Sequence, residues 1–157
     1  MLKDLPTVAE LFGLDGLEGY HGPEDAVSTY CFRPNGLLPI EQVLAIDMIS
    51  GSVRVSQENS IIQETRLNEL ETRLFTALVL SHPCSVAGYQ MLALYEMRDI
   101  VAVKGELERA RQEQRRDELM QPVEDLITAC NHKIRSLGLV IHRESEYLLK
   151  PENQYQA

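Results

Sequence analysis

The sequence predicts an α+β fold, and three observations carry that prediction. Short stretches of two-residue alternation crowd residues 43–63, apolar residues then recur at spacings of three and four, and the chain closes on two apolar stretches around a charged turn. The expected architecture is a short antiparallel sheet, a three-helix core and a C-terminal hairpin. An irregular N-terminal extension, residues 1–40, precedes this domain at 41–157.

In the extension, Thr7 can cap a short amphipathic helix that carries Val8, Leu11 and Phe12 on one face. Gly13, Gly16, Gly19, Gly22, Pro23, Pro34, Gly36 and Pro39 follow, a density that favours turns. Asp25 to Tyr30 reads as a short strand or a turn. Beyond Pro39, Val43, Ala45 and Asp47 begin one strand, Ser50-Gly51 makes a turn, and Val53 and Val55 alternate with polar residues in the next. A second turn at Gln57 to Ser60 leads into a third strand, Ile61 to Gln63.

The helices come next. Thr65 stands where an N-cap is expected, Leu67, Leu70, Leu74 and Leu78 line one face, and Pro83 ends the helix. Ser85 is the expected cap of a second helix, with Tyr89 and Leu92 on one face. The charged stretch from Ile100 to Met120 reads as a solvated helix. Its apolar positions Val103, Leu107 and Ala110 do not continue as a heptad. Pro122 fits the first turn of the last helix, whose apolar stripe is Leu126 or Ile127, Cys130, Ile134 and Leu137. Gly138 terminates it, and LVIHRESEYLLK forms the hairpin.

Taken in this order, residues 41–150 resemble the effector domain of OmpR/PhoB-type response regulators, a winged helix-turn-helix domain. LFTALVLSHP, Leu74 to Pro83, is similar to that family's first helix and its His-Pro exit, and Ser85 to Tyr95 to its second. Lys133-Ile134-Arg135 is similar to the core of the recognition helix. Arg143, Tyr147 and Leu149 match the wing. The resemblance implies a transcription regulator that binds double-stranded DNA through Asn131, His132, Lys133, Arg135, Ser136 and Arg143. The recognition helix enters the major groove and the wing touches the adjacent backbone. Asn131 would then meet adenine and Arg135 guanine, with Lys133 and Arg143 on phosphates.

The chain departs from the family in three ways. It carries no phosphoacceptor receiver domain, so control by phosphorylation in cis is not expected. The two wing glycines of the family fall at Glu144 and Glu146, whose carboxylates would face phosphate. The stretch 96–121, which in the family contacts RNA polymerase, is longer and more charged.

The charge distribution supports an alternative. Formal net charge is −9. Residues 1–40 and 41–100 each contribute −4, residues 101–120 are neutral, and residues 121–157 carry −1. So acidic a chain gains little long-range steering toward DNA. The alternative is therefore an acidic winged-helix adaptor that binds a protein, RNA polymerase or another regulatory factor, with monomer and homodimer both open.

Other classes are excluded on simpler grounds. No apolar run approaches the roughly 18–20 residues of a membrane span, and the N-terminus lacks a signal pattern. Cys31, Cys84 and Cys130 show no CxxC spacing, which fits thiols of a reducing cytoplasm. His21, His132 and His142 lack metal-ligand spacing, and His82 reads as a helix-end residue. Ser85 beside His82 has no acid partner and no glycine-flanked turn, and no phosphate-cradling GxxxxGK occurs. Neither enzyme activity nor a cofactor is expected.

Overall fold

Alternating Leu44, Ile46, Val53 and Val55 put one face of a four-stranded antiparallel sheet into the core. The computed structural model describes residues 29–33 and 36–152. The sheet runs β1 (Thr29–Phe32), β2 (Gln42–Asp47), β3 (Ser52–Gln57) and β4 (Ser60–Arg66), each paired with the next. The expected three strands are thus joined by a fourth, β1, drawn from the stretch read as strand or turn. Leu44 pairs with Phe32 on one side and Val55 on the other, and all three are buried. The sheet therefore takes a strand from within residues 1–40. The helix expected after Thr7 lies outside the described residues.

Helix α1 (Glu69–Ser81) starts three residues later than Thr65 suggests. Thr65 stays in β4 opposite Val53, and Asn68 is the cap. Its side chain accepts from the Glu71 N–H while the Glu71 carboxylate accepts from the Asn68 N–H, both at 2.8 Å. This reciprocal pair satisfies two otherwise orphaned donors and outcompetes a lone threonine. The helix ends on His82, as its position before Pro83 predicts.

The second helix, α2 (Gly88–Glu96), is capped by Ala87, whose N–H donates to the Gln90 side chain. Ser85, the expected cap, instead donates to Glu146 in the hairpin. The charged stretch forms two helices rather than one. Val103, Leu107 and Ala110 make the buried face of α3 (Ile100–Gln112), and a turn with Gln114 at φ 61° leads into α4 (Arg116–Ile134). The helix expected to be solvated, α3, thus joins the core by packing on α2 and α4, which makes four packed helices among the described residues where a three-helix core is expected.

In α4, Pro122 is the seventh residue and not in the first turn. Its side is exposed, so the ladder bond it removes faces away from the core. Met120, Val123, Ile127, Cys130 and Ile134 form the buried stripe, which Leu137 continues in a short 3₁₀ turn. Gly138 ends that turn at φ 79°. The hairpin of β5 (Leu139–Arg143) and β6 (Tyr147–Pro151) follows as predicted, and Val86 adds a single bridge to Tyr147. Among the described residues no helix is long and apolar enough to cross a membrane, and no cluster of His, Cys, Asp and Glu could hold a metal.

Candidate interaction surface

Three of the predicted contact residues sit on the last turn of α4, where the hairpin and α1 close on it. Asn131 is spent on the hairpin. Its Nδ2 donates to the Ile141 carbonyl at 3.1 Å and its Oδ1 accepts the Ile141 N–H at 2.6 Å. Both bonds go to one residue of β5, so Asn131 acts as a backbone mimic that pins the strand to the helix.

Lys133 turns inward. Its Nζ donates to Glu71 Oε1 at 2.6 Å, and Glu71 is only 1% exposed. The Glu71 carboxylate thus serves the α1 cap and the Lys133 ammonium together. A carboxylate so deeply placed needs both partners to offset lost hydration.

His132, Arg135 and Ser136 are exposed. The Ser136 hydroxyl donates to the Lys133 carbonyl at 3.0 Å, and Arg135 stands 3.8 Å from Glu152 in a loose pair. Arg143 is not brought beside them. It pairs with Glu124, which also accepts from the Tyr147 hydroxyl. Glu124 is seven residues before Asn131, about 10 Å away along the helix.

At the hairpin tip the two glutamates are exposed and partnered. His142 Nε2 lies 3.0 Å from Glu144 Oε1, and Ser85 donates to Glu146. The hydrogen bond from His142, followed by the charges of His142 and Lys150, holds the Glu144 carboxyl below its ordinary range. A space of about 410 Å³ between α4 and the hairpin is lined by cations, Arg116 and Arg143, and by carboxylates, Asp117, Glu124 and Glu144. It presents no single sign of charge.

The residues that sequence reasoning missed are the carboxylates. Glu71, Glu124 and Glu152 each take a cation from the predicted contact set. For Glu71 a signal exists in Asn-x-x-Glu, the capping box. For the other two the partner lies across the fold and leaves no local pattern.

The same buried corner governs a thiol. Burial pushes Cys130 from its ordinary value near 9 up to about 12, the nearby Glu71 carboxylate adds to the rise, and Lys133 opposes it. Because the thiolate is the reactive form, Cys130 is expected to resist alkylation at pH 8 while exposed Cys84 reacts. Mass spectrometry of the native chain after brief iodoacetamide treatment reads this directly, and early Cys130 labelling would contradict it. The raised value also has a stability sign. The unfolded thiol ionises first, so Cys130's contribution is complete below pH 9 and is lost as pH rises toward 12.

Comparison with protein-family models, with curated proteins and with solved structures gives no match.

Proposed function

We propose that this chain is a winged-helix adaptor whose partner is a protein, such as RNA polymerase or another regulatory factor, rather than DNA. The order of sheet, helices and terminal hairpin supports the winged-helix reading, as does the Val86–Tyr147 bridge that joins the hairpin to the segment before α2. One observation carries the choice of partner. Two of the three basic groups expected on phosphate or base are held by a carboxylate of the same chain, Lys133 by Glu71 and Arg143 by Glu124, and the third, Arg135, stands 3.8 Å from Glu152 in an exposed pair. Duplex DNA would have to displace those carboxylates before gaining a contact.

A DNA-binding regulator is the rival reading. It rests on the exposed trio His132, Arg135 and Ser136, which remains open to a groove. Fluorescence anisotropy with a labelled duplex at low salt separates the two. The unaltered chain is expected to show no salt-sensitive binding. The double substitution Glu124→Gln with Glu152→Gln releases two cations and should create weak binding, with a log–log salt slope of about −1 per freed cation. Tight, sequence-selective binding by the unaltered chain would end the adaptor reading.

A further inference from the structure

The outward face of α4 forms, with the end of α2, a shallow groove of about 480 Å³. Glu118, Pro122, Asp125, Leu126 and Ala129 line it, spaced four, seven, eight and eleven residues from the first and so on one side of the helix. Tyr95 and Leu126 are half-buried and supply an apolar floor. Glu118 and Asp125 are exposed and supply an acidic rim. No lysine or arginine is among the lining residues.

The rim carboxylates are only lightly engaged. Glu118 is 3.4 Å from Arg115 in an exposed pair, and Asp125 accepts from Gln121 at 2.8 Å. Such surface pairs exchange readily for a better-placed cation.

We propose that this groove receives a basic segment of a partner protein, with an arginine side chain laid over Tyr95 and held by Glu118 and Asp125. The proposal rests on the protein-partner reading and names that partner's chemistry. An arginine suits the site because its planar guanidinium stacks on an aromatic ring and carries five donors for the two rim carboxylates. Its aliphatic stem and a neighbouring apolar residue cover Leu126 and Pro122.

The test is an amide-shift titration of the full chain with a short synthetic peptide of alternating arginine and leucine. A glutamate–leucine peptide serves as the counterpart. The amides of Tyr95, Gln121, Asp125 and Ala129 are expected to shift together and saturate with the basic peptide alone. Glu118→Lys with Asp125→Lys should weaken binding by about tenfold. Glu58→Lys with Glu108→Lys makes the same change in net charge elsewhere and should leave affinity within about twofold. Should circular dichroism show the first variant unfolded, Ala129→Lys, on the same exposed face, gives the same readout.

Equal loss in both double variants, shifts scattered over the surface, or binding of the acidic peptide overturns the groove. A chain that fails this titration and still ignores duplex DNA loses the groove and keeps the adaptor reading. A chain that binds duplex DNA selectively loses the adaptor reading and the groove's premise with it.

Discussion

Replacing Lys133 by Met is expected to lower the unfolding free energy by about 2–3 kcal/mol, read as a reduced urea midpoint at unchanged slope. Methionine keeps the apolar stem and removes the charge, leaving the Glu71 carboxylate at 1% exposure with the Asn68 N–H as its remaining donor. Breaking a fully buried pair costs about 3–5 kcal/mol. The lower range is used because the Lys133 side chain is itself 37% exposed and water can reach the vacated end. Glu71→Gln should cost less, since Lys133 can turn to solvent and the amide oxygen still accepts from Asn68. The double variant should therefore be less destabilised than the two singles summed, by about 1 kcal/mol or more. An unchanged midpoint, with duplex affinity lost instead, would place Lys133 on a phosphate and not on Glu71.

The second large effect is expected at Gly51. This residue turns β2 into β3 at φ 78°, and its carbonyl accepts the Leu67 N–H at 2.8 Å. A Cβ built there would lie 1.9 Å from the Leu67 carbonyl oxygen, a backbone atom that cannot rotate away. Gly51→Ala thus meets both the left-handed backbone penalty of about 1 kcal/mol and a collision that must move the entry to α1. The total should be about 3 kcal/mol or more, a fall in melting temperature of roughly 10 °C. Gly138→Ala is the matched comparison. Its φ is 79°, yet a Cβ there meets nothing within 4 Å, so only the backbone penalty applies. Equal losses at the two positions would show that crowding at Leu67 is not what matters.

What could be read in advance divides along physical lines. Signals confined to a few neighbouring residues were legible. The alternation of Val53 and Val55, the three-and-four spacing of Leu74 and Leu78, and the stop at Gly138 each reflect local geometry. The split of residues 100–120 was not, because the break at Gln114 uses a non-glycine residue in the left-handed region and no proline marks it. Pro122 misled for a related reason. Proline favours a first turn, but an exposed side of α4 tolerates the missing bond. Most of the candidate surface was invisible for want of long-range information. An asparagine near a helix end looks the same whether it reaches a base or, like Asn131, a strand ten residues on. A lysine sixty-two residues from its carboxylate carries no mark of that pairing.

The terminal hairpin is fastened along its length: Asn131 grips Ile141, Glu124 takes both Arg143 and Tyr147, Val86 bridges Tyr147, and Ser85 donates to Glu146. A flap tied at both strands and near its tip has little freedom to surrender when something docks against it. A partner docking at this end would therefore meet a shape decided before encounter, at a small entropic toll on complex formation. Such a surface would discriminate by fit, and tuning it would fall mainly on how slowly a complex comes apart.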